Sequence, residues 1–144
     1  MIEVKNVEKI LADQGFIISS VKGDSMLPML DETKDAVKIV SASEELEKYD
    51  LPLYIRDDGH FVLHRIVAVK GDVYTCIGDN QFVYEKGVRR DQMIGVVTSF
   101  CRDGKRIDTS KMSHRVYRVL WHRSRCIRRV WRAAGIKFKR LFKK

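Results

Sequence analysis

Between residues 2 and 14 the apolar side chains Val4, Val7, Ile10 and Leu11 recur at helical spacing. That pattern predicts a short amphipathic helix, which Gly15 can cap at its C-terminal end. Past Gly15 the pattern changes to short β-branched or aromatic runs: FIISSVK (16–22), AVKIV (36–40), LPLYIR (51–56), HFVLHRIVAV (60–69), VYTCI (73–77) and MIGVVTSF (93–100). Turn signals separate them, among them Asp57-Asp58-Gly59, Lys70-Gly71-Asp72, Gly78-Asp79-Asn80 and Arg102-Asp103-Gly104. Residues 42–50 read as a helical turn. Six short strands at close spacing, mostly in hairpins, predict a mainly β fold, an antiparallel, strongly bent sheet or partial barrel.

The tail returns to helical period. Val116, Leu120, Ile127, Val130, Trp131, Ala134, Phe138, Leu141 and Phe142 fall on one arc, and Arg118, Arg125, Arg128, Arg129, Arg132, Lys139, Arg140 and Lys143 on the other. Gly135 can divide it. The expected organisation is a β-domain with its N-terminal helix over 1–111 and a basic amphipathic helix over 112–144.

Charge sharpens this division. Of 28 Lys and Arg residues, 12 lie between His114 and Lys144, where there is no acid; the other 16 face all 19 acids in 1–113. A mildly acidic body with a basic tail predicts a polyanionic partner for the tail. Three cysteines (Cys76, Cys101, Cys126), odd in number and without a CxxC pair, read as unpaired thiols in a reducing compartment. No apolar run approaches the ~20 residues of a membrane span. The first residues, MIEVKNVEKI, carry acids where a signal peptide has a basic region. A cytoplasmic protein, peripheral to a membrane, is expected.

Candidate chemistry begins at VKGDSMLPML (21–30). Ser25 follows a predicted strand, and Pro28 stiffens the turn behind it. A serine hydroxyl needs a base for its proton and donors for the oxyanion. Gly23 allows close backbone approach, and the Ser25 N–H is a natural first oxyanion donor. Alone, such a serine is ordinary turn chemistry. Period-two alternation places His60, Val62, His64 and Ile66 on one face of their strand. His64 thus stands within an apolar segment, where burial favours the neutral imidazole that a general base requires. The competing account is a strand histidine bonded to a carbonyl. Asp79 sits in a turn where its carboxylate could orient a histidine or simply close an Asx turn. Glu85 is a second carboxylate in the same loop.

In combination these residues resemble the signal peptidase I family, in particular its archaeal and endoplasmic-reticulum branch. The resemblance covers roughly residues 10–100. Gly23-Asp24-Ser25-Met26-Leu27-Pro28 matches a G-x-S-M-x-P box, and His64-Arg65-Ile66-Val67 the box in which that branch has His-Arg. Gly78-Asp79-Asn80 matches a Gly-Asp-Asn box, and Ile94-Gly95-Val96-Val97 the closing strand. The resemblance implies the β-fold shared by signal peptidases and LexA-like proteins, and a serine endopeptidase. Ser25 would be the nucleophile and His64 the base, with Asp79 supporting His64 and Glu85 a second carboxylate. Gly23, Asp24 and Met26 would border the oxyanion and substrate site. Substrate would bind as an extended strand with small side chains near the cut. No cofactor or metal is implied.

The chain departs from that family in lacking an anchor segment, in having Glu85 where Asp is usual, and in its tail. With Trp121, Trp131, Phe138 and Phe142 for an interface and arginines for anionic lipid, 114–144 is expected to replace the anchor on an anionic membrane surface rather than bind nucleic acid. Alternatives are a LexA-like self-cleaving regulator and a binding module that keeps the fold without turnover.

Overall fold

The computed structural model describes residues 4–42 and 45–131. Helix α1 (Val4–Gln14) precedes nine strands: β1 (Phe16–Ser20), β2 (Asp35–Ser41), β3 (Pro52–Ile55), β4 (Phe61–Leu63), β5 (Arg65–Lys70), β6 (Val73–Ile77), β7 (Glu85–Arg89), β8 (Met93–Arg102) and β9 (Lys105–Asp108). Helix α2 (Met112–Arg123) follows, and after a turn at Ser124 residues 125–131 are helical again. The fold is mainly β, a curled antiparallel half-barrel.

The long strand β8 organises the larger sheet. One of its edges carries β2, and β1 lies outside β2; the other edge carries β3 along its first half and β9 along its second. Irregularities between Lys38 and Ile39 and between Leu53 and Tyr54 curl the sheet. Strands β5, β6 and β7 form a second, three-stranded antiparallel sheet. One core cluster lies under the serine turn, with Met26, Met29, Leu30, Val37, Leu51, Val97 and Phe100. Another, with Tyr54, Ile66, Tyr74, Cys76, Val88 and Met93, joins residues of both sheets. Val7 and Leu11 of α1 close the far side against Ile94.

Three readings from sequence are corrected. The segment 60–69 is two strands, interrupted at His64, where the chain leaves one sheet for the other. Strict alternation fails with it: Arg65, Ile66 and Val67 are all buried, and the register shifts between Ile66 and Ala68. Among 42–50, the described residues hold no helix. They form a turn that bonds to β5 through Tyr49 N to Ile66 O (2.8 Å) and Ile66 N to Asp50 O (2.9 Å). Strands β7 and β9 were not expected; EKGVR and KRID are too polar to announce themselves as strands, and each is ordered by the neighbour it pairs with.

Helix α2 packs on the body through His114, Tyr117 and Trp121, whose rings stack successively (5.9 and 5.8 Å between centroids), with His114 edge-on to Phe100. This inward face is not the arc of aliphatic residues. Met112, Val116, Leu120, Ile127, Val130 and Trp131 are exposed, and Arg125 is buried. The remaining residues of the expected arcs, 132–144, lie outside the described residues.

Candidate active site

The serine turn is secured from both sides. Met26 is 3 % exposed and belongs to the core beneath it, so its thioether anchors the turn and does not face substrate as expected. The Leu27–Pro28 peptide is cis. Gly23 takes φ +81°, a conformation that favours glycine, and its N–H donates to Glu32 Oε2 (2.7 Å). From the other side, Asn80 N–H donates to Ser25 O (2.9 Å) and Asn80 Nδ2 to Asp24 O (3.1 Å). A Cβ on Gly78 would stand 2.5 Å from Ser25 O, so only glycine permits this approach. The first and third sequence boxes are therefore in direct contact. Because Ile77 pairs with Arg65 across β5–β6, the second box lies next to them.

Ser25 and Glu85 line one open cavity of about 690 Å³, together with Asp24, Arg56, Phe82 and Tyr84. Among the described residues neither the hydroxyl nor the N–H of Ser25 makes a hydrogen bond. Both remain available to a substrate.

His64 is 5 % exposed. Its Nδ1 lies 3.3 Å from Tyr54 Oη and 3.7 Å from Glu85 Oε2. Tyr54 donates its only proton to Glu85 Oε2 (2.6 Å), so its oxygen can meet Nδ1 only as an acceptor. The imidazole proton is thereby assigned to Nδ1, and Nε2 keeps its lone pair. Nε2 makes no hydrogen bond among the described residues. Burial pushes the His64 pKa down to about 4, only partly opposed by the Glu85 charge. The ring is neutral at pH 7. Arg56 clasps Glu85 with Nε on Oε1 and Nη2 on Oε2, both at 2.7 Å, and this guanidinium chiefly holds the Glu85 pKa below its usual value.

Asp79 acts on His64 by its charge alone, with no hydrogen bond between them among the described residues, and is held by Arg65. Its carboxylate is 1 % exposed and receives Arg65 Nε and Nη2 in a two-pronged pair, 2.8 Å each. Tyr117 Oη donates to it at 3.4 Å, while its carbonyl accepts from Trp121 Nε1 (2.9 Å) and Arg128 Nη1 (3.2 Å). Asp79 reaches His64 only through its field; Glu85 is the carboxylate that approaches the ring.

Sequence reading missed Tyr54 and Arg56, and it assigned Trp121 to a membrane interface, whereas the Trp121 indole N–H donates to Asp79 O on the body. Tyr54 and Arg56 are two apart on β3 and just beyond it, hence on one face, and this pairing of polar tips was the available signal. His60 is an exposed partner of Asp58 (3.0 Å). Among the described residues no group of three or more His, Cys, Asp or Glu could hold a metal, and no helix is long and apolar enough to cross a membrane. Compared with known protein families and with curated proteins, the chain matches none.

Proposed function

We propose that this protein is a serine endopeptidase of the signal-peptidase type, acting on a peptide or protein strand laid across the cavity at Ser25. The observation that carries the reading is His64: buried, neutral, its Nδ1 held by Tyr54 and Glu85, its Nε2 without a hydrogen bond among the described residues, one residue from β5, whose partner β6 leads into the loop that supports the serine. In this reading His64 Nε2 takes the proton of Ser25 Oγ as the hydroxyl attacks the scissile carbonyl. The Ser25 N–H stabilises the oxyanion, and His64 returns the proton to the leaving amine. Glu85, through Tyr54, favours the imidazolium formed midway. Asp79 holds the architecture through Arg65.

Membrane association belongs to the same proposal. The outward face of the C-terminal helices presents Met112, Val116, Leu120, Ile127, Val130 and Trp131 beside exposed Arg115, Arg123 and Arg129. Such a face suits the boundary of an anionic bilayer, where each basic residue adds about 1 kcal/mol.

A second reading, a binding module without turnover, is favoured by the absence, among the described residues, of any hydrogen bond to Ser25 Oγ. One experiment separates the two. A fluorophosphonate probe should label wild type at Ser25, and neither Ser25→Ala nor His64→Ala should be labelled or should cleave a peptide library. Cleavage that persists in Ser25→Ala rejects the peptidase.

A further inference from the structure

The inner face of the C-terminal helices carries an unexpected surplus of positive charge. Arg118, His122, Arg125 and Arg128 follow one another at three- and four-residue steps. Arg125 is 5 % exposed, yet among the described residues none of its three guanidinium nitrogens has a hydrogen-bond partner. Arg118 Nε, Arg128 Nε and His122 Nε2 are likewise buried and unanswered. Aromatic rings form the walls: the Arg125 guanidinium lies 5.6 Å from the Tyr84 ring, Arg118 5.9 Å from Tyr49, and the His122 ring 5.7 Å from Tyr49.

The body offsets this charge only in part: the carboxylates of Asp50 and Glu47 act on Arg118, and that of Asp79 on Arg128, through space, while Asp79 is bonded to Arg65 and Asp50 accepts the Glu47 N–H (2.8 Å). None of Arg118, Arg125 and Arg128 takes part in an ion pair among the described residues. A buried guanidinium with no counter-charge is costly, and buried donors are nearly always satisfied. The unanswered N–H groups come from several side chains, more than the two oxygens of a carboxylate can serve. A phosphate, with its three or four oxygens, matches that number and suits arginine's planar fork.

We propose that Arg125, with Arg118, His122 and Arg128 beside it, forms a phosphate-binding site between the C-terminal helices and the body. The phosphate is either free or the headgroup of a lipid. The site is independent of Ser25 chemistry, although Tyr84 borders the Ser25 cavity and Arg128 the smaller one of about 320 Å³ beside Pro28. A bound anion would brace the 80–85 loop against the helix.

Thermal unfolding of the full chain in rising sodium phosphate, against sodium chloride of matched ionic strength, tests the site. Phosphate should raise the Tm of wild type beyond chloride. Arg125→Met, which keeps an apolar stem, should lose that increment, and Arg125→Lys, which keeps the charge without the fork, should retain only a fraction of it. Equal increments in wild type and both variants, or none in wild type, overturn the proposal. A second arm identifies the source with vesicles of phosphatidic acid in phosphatidylcholine. If inorganic phosphate releases wild type from them and Arg125→Met binds them weakly with no phosphate effect, the headgroup is the ligand. If phosphate stabilises the protein while vesicle binding is the same in both, the ligand is soluble; either result upholds the site.

Discussion

Two carboxylates stand near His64, and their partners differ. Asp79 answers a guanidinium that is 1 % exposed, so removing it strands a buried charge. Asp79→Ala should destabilise the fold by about 3–5 kcal/mol, read from urea unfolding, and lose activity in proportion to unfolding. Glu85 is at the cavity, and Glu85→Gln should leave the urea midpoint nearly unchanged while lowering kcat by roughly 10²–10⁴-fold if it supports the base. Its charge raises the His64 pKa, so its loss should also move the acid limb of the pH profile from near 4 to lower pH. Tyr54→Phe, without the hydroxyl that joins Nδ1 to Glu85, should act in the same direction. A wild-type limb near 6.5 would contradict the buried, neutral ring. The candidate residues themselves were legible as short local strings. Their partners were not, because whether Asp79 meets His64 or Arg65 depends on a strand register that no local string contains.

At the level of elements, the informative case is the C-terminal helix. Helical period correctly separated an aliphatic arc from a basic one, and ordinary amphipathic logic would turn the aliphatic arc inward. Instead the helix docks through His114, Tyr117 and Trp121, whose polar tips and flat rings match a body surface that offers Asp79 and Phe100. Periodicity reports where apolar residues are, not which face meets the body. The segment around His64 teaches the same lesson: a chain that changes sheets is buried on both sides, so alternation ceases just where His64 stands. The exposed arc yields a prediction. Ile127 is 63 % exposed, so Ile127→Glu should leave the melting temperature unchanged within about 1 °C, since surface changes of this kind cost at most about 0.5 kcal/mol. It should nonetheless weaken sedimentation with anionic vesicles several-fold. Unaltered vesicle binding would remove the membrane from the proposal.

For the whole molecule, acid is the revealing stress. His64 and His114 are both held neutral by burial, each with its pKa pushed down to about 4 from an ordinary 6.5. Around His114 the cations Arg65 and Arg118 add to that push, and Asp79 opposes it. In the unfolded chain both rings regain a proton below about 6.5, whereas the folded protein takes it up only near 4. Protonation therefore favours unfolding throughout that window, and stability is full above it. At pH 4.5 the two rings together should cost on the order of 4 kcal/mol relative to pH 7, a large share of an ordinary domain's 5–15 kcal/mol. Urea midpoints at pH 7 and 4.5 measure the loss directly. His114→Phe, an aromatic that can still pack between Phe100 and Tyr117 but cannot charge, should recover close to half of it. An unchanged midpoint across the window would mean that His64 is open to water, and with it would go the physical basis for the neutral base in the proposed reaction.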